Sequence, residues 1–137
     1  MAAPTVLTAV GLVFAALAAL THVWFWVLES LTWRRESTWR LFGVRSAADA
    51  ETMRPMALNQ GYYNLFLAAG TAAGIALSLT AALGSIGFAL TLFCCLFMVG
   101  AALVLLASNR RLARAAAVQG AFPLVATVLL VLSAVTG

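Results

Sequence analysis

The sequence predicts an all-α, polytopic membrane protein: one bundle of four transmembrane helices over residues 1–137, with both termini external. Three observations carry this. Of the 137 residues 64% are apolar and only 9% charged, whereas soluble domains run near a quarter charged, so the chain has no surface suited to water. At about 20 residues per span, four spans take roughly 80 residues and leave only connections, with no room for a separate soluble domain. All eight basic residues are arginine, and they fall in two short stretches, as orientation signals in membrane loops do.

The first span covers about residues 5–33, interrupted only by His22 and Glu29. No basic residue precedes it and no small-residue cleavage site follows a short core, so it reads as a transmembrane helix and not as a removable leader. Residues 34–55 form the main polar loop, with Arg34, Arg35, Arg40, Arg45 and Arg54 mixed with Glu36, Asp49 and Glu51. Trp39, Leu41 and Phe42 within it suit the headgroup layer. Ser46 with Asp49 three residues on has the form of a helix start, and Pro55 should kink that helix or mark its true start.

The second span, about 56–79, is apolar except for Asn59, Gln60, Tyr62, Tyr63 and Asn64, and Gly70 and Gly74 give it a close-packing face. An uncharged turn with Gly84 and Gly87 leads to the third span, about 86–107. A second loop, 108–114, holds Arg110, Arg111 and Arg114, and the fourth span, about 115–135, carries Gln119 and Pro123. Both arginine-bearing loops fall on one side, so in a cell membrane they should be cytoplasmic and the termini external. Gln60-Gly61 and Gln119-Gly120 form one faint repeat, each about a turn past an arginine loop.

Hydrophilic side chains inside a span are costly and usually face the bundle interior. Measured from the nearest arginine, Glu29, Asn59 and Gln119 each lie five residues in, about 7 to 8 Å at 1.5 Å per residue. His22 and Asn64 lie roughly 15 to 18 Å in, with Tyr63 between the two levels. Seven residues separate His22 from Glu29, which keeps them near one helix face, and Gln60 and Asn64 are four apart on another. The pattern predicts a polar pocket near the cytoplasmic face, closed toward the outside by Ala, Leu, Val and Gly packing. His22, Glu29, Asn59, Gln60, Tyr63, Asn64 and Gln119 are its candidate ligand-binding or proton-coupling residues.

Each has a structural alternative: a hydrogen-bonded imidazole for His22, an interface ion pair with Arg40, Arg45 or Arg54 for Glu29, interhelical bonds for the amides. Cys94, Cys95 and Met98 are soft donors suited to copper(I), but no metal-type spacing spans two helices, and neither metal nor cofactor is expected. No Ser-His-Asp set, phosphate loop or Cys-x-x-Cys is present, and the arginine pattern is no nucleic-acid footprint. Three readings stay open. One is a bundle that binds, or binds and transports, a small cationic or amphiphilic molecule. Another is a membrane-embedded enzyme acting on a lipid-soluble substrate, with His22 or Glu29 as general acid or base and Tyr63 as donor. The third is a structural partner subunit. Four short helices rarely enclose a whole pathway, so a homo-oligomer, dimer or trimer, is expected.

His22 and Glu29, Leu41-Phe42-Gly43, the run from Ala57 to Gly70 with its Asn59-Gln60-Gly61-Tyr62-Tyr63-Asn64, and Val118-Gln119-Gly120 with Pro123 carry a resemblance. On these residues the chain resembles small bacterial and fungal integral membrane proteins catalogued as domain of unknown function 1304. The resemblance covers nearly the whole chain; it implies that the polar levels are a family feature and implies no activity. Arg54, Asn59, Asn64 and Phe66-Leu67 give a looser likeness to the membrane-associated eicosanoid and glutathione metabolism proteins, whose expected second-helix glutamate is absent. That likeness implies a homotrimer with sites between subunits.

Overall fold

In the computed structural model, which describes residues 5–136, four long helices form a ring. Helix α1 (Val6–Trp26) is capped by the Thr5 side chain and runs directly into a π-helical turn, Val27–Leu31. A short helix α2 (Glu36–Leu41) precedes α3 (Ala47–Ser78). A tight turn leads to α4 (Gly84–Ser108), and a 3-10 turn at Arg110–Leu112 leads to α5 (Ala113–Thr136). Helix α1 packs on α3 and α5, and α4 packs on the same two from the opposite side. No strand occurs among the described residues.

Small residues set how closely the helices approach, as expected where apolar burial alone does not drive helices together. Ala15, Cys95 and Ala126 meet without solvent exposure at the centre. Gly11 faces Leu130, and on the α3–α4 seam Gly74 lies against Gly87 and Thr91, where any side chain would collide with backbone. The predicted Gly70/Gly74 face is thus a helix–helix contact. On the α1–α5 seam the Thr5, Thr8 and Ser133 hydroxyl groups hydrogen-bond to one another.

Three helical segments are long and apolar enough to cross a membrane: Val6–Leu31, Gly84–Ser108 and Arg110–Thr136. Helix α3, with 32 residues, is the longest, but the polar run from Asn59 to Asn64 dilutes it. It begins where Ser46 caps it: Ser46 Oγ accepts from the Asp49 N–H at 3.1 Å and donates to the Asp49 carboxylate at 2.7 Å. The helix passes unbroken through Pro55, which therefore does not mark its start. Pro55 sits in an exposed part of the helix, where water can take the carbonyl it leaves unpaired.

The connection between α1 and α3 is folded and not an open loop. Gly43, with φ +77°, ends α2: its N–H bonds to Arg40 O at 3.0 Å and the Val44 N–H bonds back to Trp39 O at 3.2 Å. This paired closure requires the left-handed backbone that glycine adopts without penalty, which explains the glycine of Leu41-Phe42-Gly43. Val44 and Trp39 then join Trp33, Ala50 and Ala57 in a small core against which Phe42 packs. Of the three residues suited to the headgroup layer, only Leu41 is exposed. Trp39 is 5% exposed, because the turn at Gly43 folds α2 inward over α3.

Candidate functional site

The site begins with a change of helical winding. At Val27–Leu31 the backbone takes up wider π-type pairing, with the Thr32 N–H reaching Val27 O at 3.0 Å. This segment packs on α3 at Gly61, where a Cβ would fall 3.1 Å from Glu29 Cβ and 3.3 Å from Ser30 N and would collide with Ser30 Oγ. The close approach brings Glu29, only 7% exposed, to Asn64, whose Nδ2 donates to Glu29 Oε2 at 2.7 Å. Such single π turns recur at functional sites. Here the turn delivers a carboxylate between two helices.

Beside this pair opens a cavity of about 110 Å³, lined by Glu29, Ser30, Trp33 and Leu58 together with Arg34 and Arg54. Glu29 is buried and Arg34 exposed, so the carboxylate is the floor and the guanidinium groups the rim. Trp33 is fixed there by its Nε1–H, which donates to Ala50 O at 2.8 Å. The ion pairs among the described residues are Arg40–Glu36 at 2.6 Å and Arg54–Glu51 at 2.9 Å. The alternative in which Glu29 pairs with Arg40, Arg45 or Arg54 is therefore corrected: its partner is an amide, because the arginines near it are engaged or point to the surface.

His22 is fully buried one to two turns deeper. Its Nδ1 donates to Ala18 O at 2.9 Å within α1, and Nε2 is enclosed without a hydrogen-bond partner among the described residues. The ring stands edge-on to Phe25, with centroids 6.3 Å apart, and Phe25 in turn contacts Phe42. No hydrogen bond joins His22 to Glu29 or Asn64 among the described residues. Gly11 opposite Leu130, and Ala15 beside Ala126, fix the antiparallel register of α1 and α5; continued by seven residues, that register sets Gln119 level with His22. Gln119 is half-buried there.

The remaining candidates lie elsewhere. Asn59 is exposed, and Gln60 and Tyr63 face outward into a groove on α3 and α4 with Phe66 and Phe97, Tyr63 being 57% exposed. The interior stripe of α3 runs Ala57, Gly61, Asn64, Ala68, Thr71; Asn59 and Tyr63 point away from it by helical geometry, and Gln60 lies at its edge, on the exposed side. The expected level of Glu29 with Asn59 is corrected to Glu29 with Asn64. Arg54 is no height marker, since it sits eight residues into an α3 that starts at Ala47. Cys94 and Cys95 are buried free thiols, and no group of three His, Cys, Asp or Glu that could hold a metal occurs among the described residues.

Sequence reasoning missed the π turn, which no spacing announces, and the part played by Gly61, visible only as half of the Gln-Gly repeat. The other half, Gly120, is a close approach too: a Cβ there would stand 2.8 Å from Ala102 Cβ.

Three long apolar helices in an all-α ring, with ionisable groups enclosed between them, define the class as a helical membrane protein. The chain matches, over residues 16–131, the family described as protein of unknown function (DUF1304). It belongs to that family, and every candidate residue lies inside the matched region. No curated protein and no solved structure matches it.

Proposed function

We propose that this protein crosses the cell membrane four times, with α3 as the fourth span, both termini external and the arginine-bearing connections cytoplasmic. In this arrangement it binds a small cationic or amphiphilic molecule at Glu29. Two features support the topology: α3 occupies one of four places in a ring whose other members are apolar enough to span, and eight arginines crowd one end of that ring with none at the other. The observation that carries the binding reading is a buried carboxylate with no cationic partner among the described residues, on the floor of an open cavity. An acid at that depth is costly unless it has a task.

Glu29→Gln keeps the shape and removes the charge. Binding of dodecylamine to the purified protein in detergent micelles is expected to fall at least about tenfold, or 1.4 kcal/mol; unchanged affinity contradicts the reading. If the ligand is also moved, amine flux into liposomes falls in the same variant.

Gln60 and Tyr63 on the outer face of α3 support a second proposal. Hydrophilic groups turned toward lipid are disfavoured, and a second copy of this chain packed on the α3–α4 face would cover them. A cysteine at position 60 should then cross-link two copies in membranes, while one at exposed Val13 should not.

A further inference from the structure

The cavity at Glu29 bears charges of both signs, which narrows the ligand beyond the reading above, on which this inference rests. One oxygen of Glu29 is taken by Asn64 and the other has no partner among the described residues. On the rim Arg34 is in no ion pair among those residues, and Arg54 meets Glu51 through Nε, leaving the terminal nitrogens of its fork. A plain cation entering between two guanidinium groups is repelled by both. A molecule carrying its own anion behind the cation meets complementary charge at both depths. Two forks suit a phosphate, whose several oxygens accept from both, better than a carboxylate with only two.

Hydrogen bonding sharpens the choice. The unpaired Glu29 oxygen can accept from a primary ammonium, which carries N–H donors, and not from a trimethylammonium, which has none. Leu31 and Leu58, also on the lining and both exposed, offer an apolar flank to an alkyl chain.

We propose that this cavity binds an aminoalkyl phosphate, with its primary ammonium on Glu29 and its phosphate on Arg34 and Arg54. The group is either the headgroup of an aminophospholipid or a free phosphomonoester.

The test uses the full chain in detergent micelles, titrated with lysophosphatidylethanolamine, lysophosphatidylcholine, dodecylamine and O-phosphoethanolamine. Lysophosphatidylethanolamine is expected to bind at least about tenfold more tightly than the choline lipid or the plain amine. Arg34→Gln and Arg54→Gln should each erase that advantage, while dodecylamine, relieved of one repelling charge, should bind at least as tightly as before. Equal affinity for lysophosphatidylethanolamine and dodecylamine, or an advantage untouched by both substitutions, overturns the inference. If dodecylamine still binds in a Glu29-dependent way in that case, the cation site stands and only the phosphate assignment falls; if no amine binds, both fall. Binding of O-phosphoethanolamine with the same arginine dependence supports the inference and assigns a water-soluble source, and its failure beside tight lysolipid binding supports it and assigns the lipid headgroup.

Discussion

The two halves of the ring, α1 with α3 and α4 with α5, use one packing device for different ends. In each, a glycine roughly two turns past an arginine cluster lets its helix close on its neighbour: Gly61 against Glu29 and Ser30, Gly120 against Ala102. Across from Gly120 there is only a methyl group. Across from Gly61 the neighbour has unwound into a π turn and presents a carboxylate. Close approach therefore serves adhesion in the second half, and in the first it holds an ionisable side chain at the floor of a cavity.

The largest expected effect comes from filling those two contacts. Gly61→Ala and Gly120→Ala should each destabilise by about 1–3 kcal/mol, the usual range for overpacking, read as lowered melting in detergent. They should differ in binding. Gly61→Ala displaces Glu29 and weakens amine binding, whereas Gly120→Ala leaves it at the parental value. Equal loss of binding in both would erase the distinction between the halves.

A smaller effect tests the folded connection on the first half. Gly43→Ala forces a side chain into left-handed backbone and should cost about 1–2 kcal/mol. Because α2 lies over Trp33, protease cleavage between Arg34 and Arg45 should accelerate; unchanged cleavage would mean that the closure at Gly43 does not hold α2 in place. The smallest effect is expected at Asn59, exposed and off the interior stripe, where Asn59→Ala should stay within about 0.5 kcal/mol and keep amine binding.

These contrasts also mark what the sequence makes legible. Four apolar stretches separated by arginine clusters and an uncharged glycine turn correspond to the four long helices, and Ser46 with Asp49 starts α3 as its spacing implies. Burial of His22, Glu29 and Asn64 follows from their expense in an apolar medium. Height and facing are harder. Counting inward from an arginine presumes that every arginine sits at one level, and Arg54 is part of the helix whose depth it was to measure.

Facing on α3 needs the whole stripe from Ala57 to Thr71. The four-residue spacing of Gln60 and Asn64 leaves them about 40° apart, enough to put one outside and the other in. On α5 Gln119 falls beside the line through Ala116, Pro123 and Ala126 and so faces inward, but the register with α1 sets it level with His22 and not, as the count from Arg114 has it, with Glu29. The inward turn of Trp39 depends on a backbone closure at Gly43 that spacing does not disclose.

The most direct measurement of the central claim is a double-mutant cycle on Glu29 and Asn64. Stability in detergent is measured for Glu29→Leu, Asn64→Leu and the pair, each of which removes the Asn64 Nδ2 to Glu29 Oε2 hydrogen bond. A hydrogen bond enclosed between the π turn and α3 should give a coupling of about 1–2 kcal/mol. Effects that add to within about 0.3–0.5 kcal/mol would contradict it, because the two side chains would then not meet.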